Sequence, residues 1–122
     1  MAKTLYLMRH AEAMPAEARQ PDKLRELTQS GVKQSLHMGA WLSENNVSFD
    51  VILSSSAMRA EQTASLLAEG MKVENTRVVY EDILYDASVR QLLDYINNIE
   101  DSYNSVLCVS HNPALSYLAE YL

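Results

Sequence analysis

A single cysteine, Cys108, stands among the 122 residues, so the chain forms no internal disulfide and holds no cysteine-rich zinc site. Glycine is almost as scarce. Gly31, Gly39 and Gly70 are the only three, and they are scattered. That excludes the clustered glycines of a GxGxxG dinucleotide loop or a Walker phosphate loop. No apolar run approaches the roughly 20 residues of a membrane span. The opening run, MAKTLYLM, is cut by Arg9 and His10 and is too short for the apolar stretch of a secretion signal. These absences point to a cytoplasmic protein with no membrane partner. Positive charge is also in short supply. Ten Lys and Arg against 16 Asp and Glu leave a net charge of −6, which argues against a nucleic-acid partner. An acidic surface still has room for a small cationic pocket.

What is present is ordinary for a folded domain. Apolar residues make up 48% of the chain and charged ones 21%, too apolar a balance for disorder. The length predicts one domain, residues 1–122, large enough to hide about two-thirds of its surface in a core. Two kinds of segment alternate. Residues 4–9 (TLYLMR), 50–54 (DVILS) and 105–110 (SVLCVS) are short, nearly continuous apolar runs, with 77–80 (RVVY) a weaker fourth. Such runs suit strands buried on both faces of a parallel sheet. Between them lie helical patterns. Residues 28–45 carry Val32, Leu36 and Ala40 at fourfold spacing, near Trp41 and Leu42. Residues 56–69 carry Ala60, Thr63, Ala64 and Leu67. Ser88-Val-Arg-Gln91 is a capping-box pattern opening a helix through about Asn97. Residues 113–122 predict a last helix, with Pro113 at an allowed first-turn position. The order β-α-β-α-β-α-β-α predicts a three-layer α/β/α sandwich with a mainly parallel sheet.

Two segments break the rhythm. Residues 12–27 are polar, contain Pro15 and Pro21, and are too long for a tight turn; a loop of that size is often functional. The other is the end of the chain, Ala119-Glu-Tyr-Leu122, which stops in mid-pattern. The expectation is that a further element, a closing strand, is missing there.

Three apolar strands end in unusual polar groups. The first ends in Arg9-His10, the second runs into Ser54-Ser55-Ser56-Ala57-Met58-Arg59, and the last ends in Ser110-His111-Asn112-Pro113. Ligands of open parallel sheets bind outside the carboxyl ends of the strands, so these groups are expected to converge on one rim. Taken singly, each has a plain reading. His111 sits in a turn before a helix, and Arg59 is a helix side chain that water can hold. Arg9 is harder to set aside, because an arginine leaving a buried strand needs an anion or an exit to water. Together they describe a phosphoryl site. Two guanidiniums match phosphate oxygens bidentately and stay charged. A neutral histidine attacks phosphorus as a nucleophile, and the transfer itself needs mainly positioning and charge stabilisation. His37, in mid-helix, has no such setting.

The blocks LYLMRHAEA, SSSAMRAEQTA and VLCVSHNPA, in this order and spacing, resemble the histidine phosphatase superfamily, also called phosphoglycerate-mutase-like. The hallmark triplet of that family is Arg-His-Gly; here it is Arg9-His10-Ala11. RELTQSG (25–31), LYDAS (84–88) and HNP resemble the compact SixA-like phosphohistidine phosphatases in particular. The resemblance implies that His10 is the nucleophile that becomes phosphorylated, and that Arg9 and Arg59 bind the phosphoryl group. It implies that His111 donates to that group and that Arg25 lines the pocket mouth. Water then hydrolyses phospho-His10, with no metal and no cofactor.

Larger relatives use a carboxylic acid to protonate the leaving oxygen. Glu81, Asp82, Asp86 and Glu12 are the candidates for that role. SixA-like proteins lack an evident acid at the usual place, which fits a labile P–N bond. Two nearby arginines should lower the pKa of His10 through like charge. The expected function is thus a metal-independent phosphatase acting on protein phosphohistidine, its partner a phosphorylated protein such as a histidine phosphorelay domain met at the rim of loop 12–27. A small-molecule phosphomonoesterase and a non-catalytic phospho-ligand binding module are the alternatives.

Overall fold

Four apolar runs form the four strands of one sheet in the computed structural model of the protein, which describes residues 3–72, 77–112 and 114–121. The strands are β1 (Thr4–Arg9), β2 (Val51–Ser55), β3 (Arg77–Glu81) and β4 (Ser105–Ser110). The helices between and after them are α1 (Gln29–Glu44), α2 (Met58–Met71), α3 (Val89–Asn97) and α4 (Ala114–Tyr121). The sheet order is β1-β4-β2-β3, and every pairing is parallel. The predicted element order and three-layer architecture are therefore those observed. Pro113 and Leu122, expected in the last helix, lie outside the described residues.

Handedness distributes the helices. The chain crosses from β1 to β2 and on to β3 in one direction, so right-handed crossovers put α1 and α2 on one face. It then returns from β3 to β4 and puts α3 on the other, where α4 joins it. The core follows this division. Ile52, Leu107 and Val109 point towards Ala60, Ala64, Leu67 and Met71 on the α2 side. Val51, Leu53, Val106 and Cys108 point towards Leu84, Leu92, Leu115 and Leu118 on the other. Residues one apart along a strand thus feed opposite cores, which is why the central strands read as unbroken apolar runs.

Some boundaries move for local reasons. α2 starts at Met58 rather than at residue 56, because Ala57 stands in extended conformation as its N-cap. The Ala57 N–H is taken by the Ser55 hydroxyl at 3.1 Å. α1 buries a different stripe from the expected one. Gly31, Ser35 and Gly39 are its buried residues, while Trp41 is 56% exposed. Small residues let the α1 backbone lie directly on α2; a Cβ on Gly39 would run into the Leu67 carbonyl. The capping box at Ser88 forms as predicted, with reciprocal Ser88 and Gln91 bonds.

Loop 12–27 is pinned at its base. Ala13 bridges Leu27, the Met14 N–H donates to the Glu26 carbonyl, and the Thr28 N–H donates to the Glu12 carbonyl. Gly31 permits that last contact, since a Cβ there would collide with the Glu12 carbonyl. A short 3-10 turn, Asp22–Leu24, crosses the loop and carries it over the carboxyl edge of the sheet.

Candidate active site

β1 and β4 bring their ends together in register, Arg9 beside Ser110. The backbone N–H of His10 donates to the Ser110 carbonyl at 3.3 Å. The next residue of each strand is a histidine, and the two rings lie 5.1 Å apart. β2 contributes Ser55 and, through the first turn of α2, Arg59. Residues about 100 apart in sequence thus share one rim because parallel strands end on the same side.

Two bonds fix the tautomer of His10. Nδ1 lies 2.8 Å from the Ala11 carbonyl. A carbonyl only accepts, so Nδ1 holds the proton and Nε2 the lone pair. Arg59 Nε donates to that same Nε2 at 3.3 Å. The Ala11 N–H, in turn, donates to the Thr63 hydroxyl at 3.0 Å, and that hydroxyl donates to the Arg59 carbonyl at 2.7 Å. Thr63 therefore ties the turn behind His10 to the helix that carries Arg59.

His111 is set differently. Its Nε2 is 2.8 Å from the Ser55 hydroxyl, and its Nδ1 is buried without a partner among the described residues. The Ser55 oxygen accepts from the Ala57 N–H, and its hydroxyl can give a proton to Nε2 or take one from it. When Ser55 donates, the ring proton of His111 is on Nδ1. Burial first, then the Arg59 charge, lowers the pKa of this ring to about 4, so the ring is neutral. The pKa of His10 also lies below 6.5, again through burial first; Arg59, Arg9 and Arg25 add to the effect. The expected direction is correct, and desolvation, rather than like charge, is its main cause.

Arg59 is buried, with its guanidinium spent in three directions. Beyond Nε to His10, one terminal nitrogen donates to the Asp22 backbone carbonyl at 2.9 Å and the other to Asp22 Oδ2 at 3.0 Å. Arg9 is exposed at the end of β1. It lines a cavity of about 390 Å³ with His10, Ala11, Glu12, Ala13 and Arg25, so Arg25 does stand in the wall beside His10. Arg25 is anchored by Nε donating to the Met14 carbonyl at 2.9 Å.

The four carboxylate candidates do not gather there. Glu12 borders the cavity, and its carboxylate accepts from the Thr28 hydroxyl at 3.0 Å. Asp82 pairs with Lys23 at 3.1 Å. Glu81 lines a separate cleft with Tyr95 and Asn98, and Asp86 is exposed before α3. The carboxylate that reaches the site is Asp22, which is not among those candidates. Its Oδ2 accepts from Arg59 and from the Tyr85 hydroxyl at 2.8 Å, and its Oδ1 from Arg25 at 3.0 Å. The Tyr85 bond above all, then the two arginines, hold its pKa at about 2. An acid that strong is an anion at neutral pH and gives no proton to a leaving group. Tyr85 also sets its ring edge-on to His111 at 5.8 Å. Two sequence signals stood near these residues: Asp22 lies in the long polar loop, and Tyr85 in the LYDAS block.

Arg9, His10 and Arg25 line one cavity, and Arg59 and His111 stand against His10 behind it, a set of groups with the chemistry to hold an anion. Comparison with known proteins agrees. The sequence pattern of the histidine phosphatase superfamily (branch 1) matches residues 5–89. The chain is similar to the phosphohistidine phosphatase SixA of Escherichia coli, 29% identical over 119 residues that make up 97% of this chain and 73% of that protein. An Agrobacterium tumefaciens structure assigned to SixA superposes with a TM-score of 0.90 at 28% identity, over 99% of this chain and 77% of that one. The protein histidine phosphatase SixA complexed with tungstate superposes at 0.79 and 29% identity, over 94% of this chain and 73% of that one.

Proposed function

The chain belongs to the histidine phosphatase superfamily and is a phosphatase of that type, and from this premise we propose that it removes the phosphoryl group from protein phosphohistidine through a phosphorylated His10. The observation that carries the proposal is the tautomer of His10. With Nδ1–H held by the Ala11 carbonyl, the lone pair is on Nε2, where it accepts from Arg59 Nε until a phosphoryl group draws that guanidinium onto its oxygens. Nε2 attacks phosphorus, the P–N bond to the substrate imidazole breaks, and phospho-His10 forms. Water then attacks phosphorus, the new P–N bond breaks, and inorganic phosphate leaves with His10 restored. Arg59 and Arg9 neutralise the equatorial oxygens, His111 Nδ1–H donates to one of them, and Arg25 closes the pocket mouth. The guanidiniums supply the positive charge that other phosphoryl-transfer sites take from a metal ion, so the reaction is written without one. A relative captured with tungstate, an oxyanion of similar shape, supports an oxyanion site in this family.

The substrate class is supported by the places of Glu81, Asp82 and Asp86 outside the cavity beside His10, and by the Glu12 carboxylate at its border being held by the Thr28 hydroxyl. An alkoxide leaving group needs a proton, whereas the imidazole of phosphohistidine leaves without one from the enzyme. A phosphorelay domain is the proposed partner, met at the rim of loop 12–27. The test is dephosphorylation of such a domain in EDTA by wild type and by His10→Ala. Loss of the phosphoryl group with wild type alone is the expected result. Equal loss with His10→Ala would refute the nucleophile. Tight binding of phosphate without turnover would make the protein a binding module, and turnover confined to p-nitrophenyl phosphate would make it a phosphomonoesterase.

A further inference from the structure

Five side chains close a circuit around the place a phosphoryl group would take. His10 touches Arg59, Arg59 touches Asp22, Asp22 touches Tyr85, Tyr85 packs on His111, and His111 faces His10. Four of the five suit an anion. Asp22 does not, since a carboxylate beside a phosphate costs electrostatic energy. Its place in the circuit is specific. One guanidinium touches His10 Nε2 with Nε and Asp22 with its far nitrogens, so the carboxylate lies a guanidinium's width from the attacking nitrogen. In-line displacement sends the leaving group away from the nucleophile, and a substrate bound across Arg59 would carry it to the Asp22 and Tyr85 side.

The acceptor count leaves a vacancy. Three side-chain donors occupy Asp22, two on Oδ2 and one on Oδ1. A carboxylate has about four acceptor positions, and the Asp22 side chain is 49% exposed. We propose that Asp22 is the specificity residue for P–N substrates, its carboxylate accepting the free ring N–H of the phosphorylated imidazole. This inference rests on the phosphohistidine reading above. Phosphohistidine protonated on its second ring nitrogen carries both a positive charge and an N–H that a phosphate monoester lacks. When His10 Nε2 bonds to phosphorus and the P–N bond breaks, the electron pair of that bond stays on the ring. The ring departs as neutral imidazole, keeping the proton on its second nitrogen. Asp22 neither gains nor loses a proton, consistent with its low pKa. A single negative charge thus repels monoesters and attracts the one leaving group that needs no acid.

The experiment compares wild type with Asp22→Asn on phosphoimidazole, on its N-methyl analogue, which has no ring N–H, and on p-nitrophenyl phosphate. The variant is expected to lose about tenfold in kcat/KM on phosphoimidazole, the scale of a hydrogen bond to a charged group. It should lose less on the N-methyl analogue and gain on p-nitrophenyl phosphate, as the repulsion goes. Parallel losses on all three substrates would mean that Asp22 only holds Arg59 in place, and would overturn this inference while leaving the phosphohistidine reading standing. A wild type inactive on phosphoimidazole but active on p-nitrophenyl phosphate would overturn both. Turnover of any substrate by the variant reports that it is folded.

Discussion

His10 and His111 each follow the end of a strand, and burial of their rings is the main reason their pKa values fall. If His10 is the nucleophile, as proposed, only its neutral ring has a lone pair for phosphorus, and activity is lost when the ring takes a proton. Because its pKa lies below 6.5, the acidic limb of kcat/KM is expected below that pH, and His111, at about 4, remains a neutral donor across the same range. A pH–rate profile checks this; an acidic limb above pH 7 would contradict it. The histidines and Arg59 were legible in the sequence because each follows a short apolar run that reads as a strand, and strand ends are where such sheets bind ligands; β1 is nonetheless, among the described residues, an edge strand with no buried residue. Asp22 and Tyr85 were not. They meet Arg59 and each other across 37 and 63 residues, out of loops whose path has no periodicity to read.

At the scale of elements, β1 and β4 occupy the very residues their apolar runs predicted, and the helices differ from expectation by one or two residues at their ends. The face of α1 was the larger surprise. Fourfold spacing of Val32, Leu36 and Ala40 suggested the buried stripe, yet these are half-buried and the deepest contact is made by Gly31, Ser35 and Gly39. Hydrophobicity ranks side chains, whereas close helix packing selects for their absence. Gly39→Ala should therefore destabilise the protein, because its Cβ meets the Leu67 backbone carbonyl rather than a flexible side chain. A loss of about 1–3 kcal/mol, the usual cost of overpacking, is expected from urea unfolding. This reverses the stabilisation that alanine normally brings to a helix interior.

The whole molecule presents its site on one edge, under a loop that displays apolar side chains to solvent. Met14 is 46% and Leu24 50% exposed, on the segment that also carries Asp22 and Arg25. If the proposed relay partner is held there, Met14→Ser combined with Leu24→Ser should raise KM for the phosphorylated domain by about tenfold, the scale of losing two modest apolar contacts. Turnover of phosphoimidazole, which brings no protein surface to rest on Met14 and Leu24, should change far less. Steady-state kinetics on both substrates decides it; equal loss on both would mean that the loop serves the pocket alone.

Among the described residues, the strand that leads into His10 has a single neighbour in the sheet. β1 pairs with β4, Thr4 opposite Ser105. β1 thus waits for its described partner until β4 has been made. β2 and β3 can pair with each other much earlier, but the two histidines cannot meet before nearly the whole chain is present. Pairings of such long sequence separation form slowly. A chain cut between β3 and β4 would therefore hold His10 on a strand without its β4 neighbour, apart from His111.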